Sequence, residues 1–371
     1  MFLKSTAIAL TALLATSLIA KAETIPVLVP ITGFLSLEGT SQRNGAVMAI
    51  ERFGKPFDFE TEVTDTGTSP EGAVTALRRA LEDRPHAAIA SMLGTQMLAM
   101  LPIAGRAGVP LLTVSGTAKI TEIGIPWVFR FFPGDSVVKV AQARYAVEEL
   151  GAKRPALLYQ TTAYGQSGAE HLRRIMKEFD AQLVFEEAID ISVKDMLPAL
   201  TRLQEAKPDL ILLHLHSGST ALVIRQARDQ NISLPILAGS AMHQPTTAAL
   251  LEPKQLAGVC AESASSPISE PIGPVEDFTA EYRARFGTEP DAFALAQYDG
   301  ALMLIAARNS GARTAKEIRD WFANNSYDGL AMTYKSDSKG NMAHDAVVVC
   351  YDGKSAVPAI KRRYENITGV K

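Results

Sequence analysis

HAAIASMLGTQMLAMLPIAGRAGVPLLTVSGT, residues 86–117, contains one complete unit of the pattern that decides the fold. His86–Leu93 is a short apolar run of strand length. Gln96–Arg106 spaces its apolar residues for a helix, and Pro110–Val114 is a second apolar strand. Strands that are apolar on both faces and separated by helices are the signature of a parallel sheet covered on both sides. The rhythm continues outward. Upstream lie a strand at Ile25–Ile31, a helix at Gln42–Phe53, a period-two segment at Phe57–Val63 and a helix at Pro70–Leu81 with Pro70 in its first turn. Downstream, strand Trp127–Phe132 completes the set.

A second set follows, with helices at Val137–Leu150, Ser167–Phe179, Asp195–Ala206 and Ser219–Gln230. Its strands are Ala156–Tyr159, Leu183–Ile189, Asp209–Leu215 and Leu234–Ala238. Two such sets predict two α/β lobes. Ser263–Pro274, polar and rich in Ser and Pro, reads as a linker. Three helices come next (Pro274–Phe286, Ala292–Arg308, Ala315–Asn324), then β-like segments at Met332–Tyr334 and Asp345–Tyr351. Helices arriving after the second set imply that the chain returns to complete the first lobe.

The bulk numbers narrow the function. The chain has 371 residues, is 47% hydrophobic and carries a formal net charge of −3, so it lacks the basic footprint of a nucleic-acid binder. Lys and Arg are dispersed, which argues against an anionic membrane surface as partner. At the N-terminus, Lys4 precedes the apolar run Ala7–Ala20, and Ala20-Lys21-Ala22 has the small-x-small form cut by signal peptidase. We therefore expect residues 1–22 to be a signal peptide and an exported chain to start at Glu23. The two cysteines, Cys260 and Cys350, end the apolar runs LAGVC and AVVVC. Export permits a disulfide between them, and two separate buried thiols are the alternative.

Motifs for catalysis are missing. No two glycines are separated by one residue, so the dinucleotide fingerprint is absent, as is the P-loop. Gly165-Gln166-Ser167-Gly168 misses the spacing of a nucleophile elbow. His214-Leu215-His216 could present two imidazoles on one side of a strand, but two ligands fall short of a metal set, and no metal or cofactor is expected. What remains is a series of strand-to-helix corners, among them Gly94-Thr95 and Ser115-Gly116-Thr117. Helix starts carry free N–H groups and partial positive charge, which suit a carboxylate, and glycine lets it approach the backbone.

Taken in order, these segments resemble the periplasmic solute-binding proteins of the leucine/isoleucine/valine-binding family. The resemblance rests on PITGFLSLEGTSQRNGAVMAIE, with Pro30, Thr32, Gly33, Gly39, Asn44, Gly45, Ala49 and Glu51, and on PIAGRAGVPLLTVSGTAKIT at Pro102–Thr121. VFRFFPGDS, LLYQTTAYGQSGAEHL, IRQARDQNISLPILAGS and FALAQYDGALML match in place. It implies a type I periplasmic binding protein fold, two doubly wound parallel-sheet lobes joined by three crossover strands. The expected lobes are residues 23–136 with 264–342, and residues 137–263 with 343–371. It further implies a periplasmic, monomeric binding component of an ABC transporter. Such a protein closes on a small ligand, hands it to a membrane permease and does no catalysis. Carried over residue by residue, the ligand site falls on Gly94, Thr95, Ser115 and Thr117 in one lobe and on Tyr164, His216, Ser217 and His243 in the other. At Gly94 the family's usual serine is missing. So is the acid that receives an α-ammonium, since Ser240-Ala241-Met242-His243 holds no carboxylate. Either Glu38 or Asp299 takes that role for an amino acid, or the ligand is an aromatic or aliphatic acid without an amine, met by His216 or His243. An exported hydrolase using His216, Ser217 or Ser240 is the distant alternative.

Overall fold

In the computed structural model, residues 22–368 are described; the expected leader, residues 1–22, lies outside them except for Ala22. The first lobe is built from β1 (Glu23–Val29), α1 (Ser36–Phe53), β2 (Phe59–Asp65), α2 (Pro70–Ala80), β3 (Ala88–Ala90), α3 (Gly94–Ala107), β4 (Leu111–Thr113) and β5 (Val128–Arg130). These strands form one sheet in the order β2-β1-β3-β4-β5, parallel at every pairing. This doubly wound order opens a crevice at the carboxyl ends of the strands.

The chain then crosses to the second lobe, with α4 (Asp135–Arg144), β6 (Pro155–Gln160), α5 (Ala163–Glu178), β7 (Phe185–Ile189), α6 (Leu197–Glu205), β8 (Leu210–His214), α7 (Ser217–Asp229), β9 (Ile236–Ala238), α8 (Pro245–Ala248) and β10 (Val259–Ser263). Three helices, α9 (Pro274–Phe286), α10 (Ala292–Asn309) and α11 (Ala315–Asn324), return to the first lobe, followed by the hairpin β11 (Ser326–Asp328) and β12 (Thr333–Lys335). The chain ends back in the second sheet with β13 (Ala346–Cys350) and β14 (Ala359–Tyr364). That sheet, in the order β14-β13-β10-β9-β8-β6-β7, is therefore mixed, since β13 and β14 run antiparallel to their neighbours. Three passages join the lobes: after β5, after β10 and before β13.

Local chemistry explains the element ends. Ser69 accepts the N–H of Gly72 at 3.0 Å, and Pro70 follows it as the first residue of α2. Thr314 and Glu317 form a reciprocal capping box at α11. Helix α10 is buried nearly all round and packs along α1, where Gly45 lets the backbones meet; a Cβ there would lie 2.0 Å from the carbonyl oxygen of Ala294. Helix α1 begins six residues before the expected start at Gln42. Its first turns bury Glu38, Ser41 and Gln42, so their polarity hides the helix from a hydrophobic periodicity.

The apolar core of the first lobe draws on residues from 25 to 132 and again from 264 to 343. The second lobe's cores draw on residues from 137 to 261 and from 346 to 367. Cys260 and Cys350 are joined by a disulfide across facing positions of β10 and β13. Among the described residues, no helix is long and apolar enough to cross a membrane.

Candidate ligand-binding cleft

A cavity with about 450 Å³ of space not filled by atoms, part of it open to solvent, lies between the lobes, at the carboxyl ends of their strands. Its walls are largely apolar, with Leu35, Met92, Val114, Phe132, Val138 and Phe293 facing inward. Set into them are Glu38, Asp135 and Glu262, together with Tyr164, His216 and Ser240.

The three carboxyl groups are held differently. Glu262, on β10, accepts from the buried ammonium of Lys139 at 2.7 Å and from the Ser240 hydroxyl at 2.7 Å. It is thus neutralised and saturated by its own surroundings. Glu38, in the first turn of α1, accepts the N–H of Ser217 at 3.0 Å and contacts the Ser217 hydroxyl, both across the interlobe boundary. Its other oxygen, Oε2, is buried with no partner. Asp135 opens α4; both of its oxygens are buried without a well-formed hydrogen bond, although Oδ1 lies 3.5 Å from His214 Nε2 and the Ser167 hydroxyl is close enough to favour the charged form. Burial pushes Asp135 up to about 6, with the charge of Lys139 pulling the other way, and burial raises Glu38 as well. Two carboxyl groups thus face the cavity with open acceptor positions and no cationic side chain bonded to either, an arrangement costly to leave uncompensated.

The first-lobe corner supplies donors. Ser115 Oγ and Thr117 Oγ1 are buried and unpartnered on either side of Gly116, which lines the cavity. The second-lobe wall is an aromatic stack. The Tyr164 ring lies 3.9 Å from the His214 ring centroid and 5.2 Å from that of His216, which also meets Phe34 at 5.2 Å. His216 Nε2 contacts Thr162 Oγ1 at 3.1 Å, and burial pushes the imidazole down to about 4, leaving it neutral.

The expected site residues separate accordingly. Tyr164 and His216 line the cavity. Ser217 touches it through Glu38. Gly94, Thr95, Ser115 and Thr117 do not line it themselves: Gly94 and Thr117 are in contact, Thr95 is half-buried on the first turn of α3, and of the 115–117 corner only Gly116 reaches the cavity wall. His243 lies elsewhere: its ring nitrogens are taken by Ser263 Oγ at 3.0 Å and Ser266 Oγ at 2.7 Å, so it braces the second crossover. Asp299 is also removed from the cleft, accepting the N–H groups of Leu330 and Ala331 at 2.9 and 2.8 Å and the Tyr334 hydroxyl at 3.1 Å. His214 turns Nε2 to the carbonyl of Tyr164 at 3.1 Å, and its ring and that of His216 both pack on Tyr164.

Sequence reading missed Asp135, Lys139 and Glu262. A visible signal existed. Asp135 and Lys139 stand four residues apart around the apolar VV of α4, and Glu262 is the lone charge in LAGVCAES. The acid sought after LPILAG is absent there, but Glu262 on the neighbouring strand bonds the Ser240 that occupies its place.

The missing serine at position 94 also has a physical reason. A Cβ on Gly94 would lie 1.9 Å from Thr117 Oγ1, so the threonine occupies that space. Gly94→Ser is expected to destabilise the protein by about 1–3 kcal/mol through overpacking. Thermal unfolding of the ligand-free variant checks this, and an unchanged midpoint would show that Thr117 can move aside at no cost.

The sequence profile of the periplasmic binding protein family matches residues 23–356. An amino acid binding protein of Pseudomonas aeruginosa is 25% identical, the alignment covering 88% of this chain and 89% of that protein. The isoleucine complex of LivJ, the branched-chain amino acid transporter substrate binding protein of Streptococcus pneumoniae, superimposes with a TM-score of 0.83 at 21% identity, over 92% of this chain and 99% of that one. A Rhodopseudomonas palustris solute binding protein of an ABC transporter, in complex with 3,4-dihydroxybenzoic acid, gives 0.85 at 18% identity, over 93% and 98%. The fold is that of the type I periplasmic binding proteins.

Proposed function

The chain belongs to the periplasmic binding protein family, and from that premise we propose that it is the periplasmic solute-binding component of an ABC import system. It captures a small amino acid with an apolar side chain, of the branched-chain or a related class, and passes it to the membrane permease. The observation that carries this reading is the pair of buried carboxyl groups, Glu38 and Asp135, facing an apolar cavity with unfilled acceptor positions. An ammonium group supplies the missing donors and the missing charge. The solute's carboxylate is assigned to the adjoining corner, where Ser115 and Thr117 offer unpartnered hydroxyls beside the start of α3 and Asp135 donates its N–H to the Gly116 carbonyl at 2.8 Å. Leu35, Val114 and Phe293 suit an aliphatic or aromatic side chain. Closure follows because each lobe holds part of the contacts, so the bound solute stabilises the closed state.

The test is titration calorimetry with L-leucine and L-phenylalanine, against 4-methylpentanoate and benzoate as analogues without the amine. The amino acids are expected to bind at least about thirtyfold more tightly, the worth of a charge-assisted pairing in a desolvated site. Tighter binding of the amine-free acids would overturn the reading. The pH dependence has a fixed sign. Asp135 holds a proton below about 6 in the empty cleft and must release it to receive an ammonium. Leucine affinity should therefore be flat above pH 7 and fall about tenfold for each unit below 6.

A further inference from the structure

Arg130 lies outside the cavity lining, yet it is buried and its donors are directed at one place. Its Nη1 donates to the carbonyl oxygens of Thr117, Gly116 and Ser115 at 2.8, 3.3 and 3.4 Å. Nη2 donates to Thr121 Oγ1 at 3.2 Å, and Nε to Asn341 Oδ1 at 3.0 Å. The guanidinium sits under Gly134, where a Cβ would fall 2.3 Å from its central carbon. The backbone of Arg130 is bound to the third crossover as well: its N–H donates to Gly340 at 2.8 Å and its carbonyl accepts from Met342 at 3.0 Å.

The described chain contains no cis peptide bond. In a trans peptide the C=O of one residue and the N–H of the next point in opposite directions. Three consecutive carbonyls turned toward Arg130 therefore turn the N–H groups of Gly116, Thr117 and Ala118 away from it, toward the second lobe. The Ala118 N–H points that way and is taken by Ser167 Oγ of the second lobe at 3.0 Å, which leaves the N–H groups of Gly116 and Thr117 for a solute.

From this geometry we infer that Arg130 is a positioning residue for anion recognition: it fixes the Ser115–Thr117 backbone with its amides aimed into the cleft and ties that loop to the hinge through Asn341. The cationic guanidinium never meets the solute. It organises a set of neutral donors, and those donors meet the carboxylate. The inference rests on the reading that the solute's carboxylate sits at this loop.

The experiment compares wild type, Arg130→Met, Arg130→Lys and Asn341→Ala in the full mature chain, with L-leucine and L-leucinamide as probes. Leucinamide keeps the amine and side chain but lacks the charged carboxylate. In Arg130→Met, leucine affinity should drop about thirtyfold or more while leucinamide changes less than about threefold. Arg130→Lys should recover part of the loss, because an ammonium can still bond the carbonyls. Asn341→Ala leaves Arg130 in place and frees one anchor, so about a three- to tenfold loss for leucine alone is expected, and it serves where Arg130→Met fails to fold. Equal losses for both probes would overturn the inference. A second readout needs no ligand: backbone order parameters of Gly116, Thr117 and Ala118 should fall from about 0.85 to below about 0.6 in Arg130→Met, with the rest of the first lobe unchanged. If wild type ignores leucine but the order parameters fall, the amino-acid reading fails and the role of Arg130 stands. If the order parameters hold, the role of Arg130 fails whatever the solute.

Discussion

Glu38→Ala is expected to weaken binding of the solute by about 100- to 1,000-fold, the largest functional effect of any single side chain in the cleft. The first reason is mechanical. Glu38 accepts the Ser217 N–H and contacts its hydroxyl only when the lobes are together. The same hydroxyl lies 2.7 Å from Gln244 Oε1, and Gln244 Nε2 donates back across the boundary to Asp291 at 2.6 Å. Asp291 in turn caps α10 through the Ala294 N–H at 2.8 Å and contacts Ser41 on α1. A buried chain of polar groups thus runs from α1 through the second lobe and back. Hydrogen bonds to a charged group contribute about 1.5–3 kcal/mol each, and here they are lost from the closed state alone. The second reason is chemical: the free Oε2 of Glu38 is an open acceptor for the ammonium. With about 1.4 kcal/mol per decade, the sum reaches two to three decades in Kd. Glu38→Gln separates the contributions, because it keeps an acceptor for Ser217 and removes the charge; about a tenfold loss is expected for it. Calorimetry gives the affinities, and small-angle scattering of the ligand-free protein reports closure. An alanine variant that binds within about threefold of wild type would remove Glu38 from the mechanism.

Loss of the disulfide should have the largest effect on stability. Cys260 and Cys350 are 90 residues apart, and all of α9, α10 and α11 lies between them. Closing a loop of that length restricts the unfolded chain by an amount worth about 4–5 kcal/mol in the chain-entropy model, and removal of native bridges costs about 2–5 kcal/mol in practice. The doubly substituted Cys260→Ala/Cys350→Ala protein is expected to unfold at lower denaturant concentration by an amount within that range. The wild-type protein should move to meet it when reductant is present throughout unfolding. A difference under about 0.5 kcal/mol would mean that the pairing of β10 with β13 is sufficient without the bond.

The strand–helix rhythm was legible because parallel strands are apolar on both faces and their covering helices are not. Thus α9 and α11 fall on the residues the pattern assigns, and α10 extends only one residue further. Where burial is polar, the pattern fails. The first turns of α1 carry Ser36, Glu38, Thr40 and Ser41, which read as a loop, yet they pack against the second lobe. Strand β14 (AIKRRY) exposes most of its side chains at a sheet edge and leaves little hydrophobic trace. In the cleft, Tyr164 and His216 could be placed because they stand where a strand passes into a helix. His243 stands at a similar exit, but Ser263 and Ser266 on another segment take both of its nitrogens, and no local spacing reveals a partner twenty residues away. Asp135, Lys139 and Glu262 escaped for the same reason: their meaning depends on three segments being brought together.

The threading of the chain between the lobes also sets an order of assembly. Helix α10, which fills the groove along α1, is made only after every parallel strand of both sheets has left the ribosome. The amino-terminal body must therefore wait, half-finished and with the apolar flank of α1 uncovered, while its neighbour's parallel strands are synthesised. Cys350 comes still later, so oxidation can lock the second sheet only once the first body has received its last helices. That delay is an interval in which a holding chaperone has something to grip.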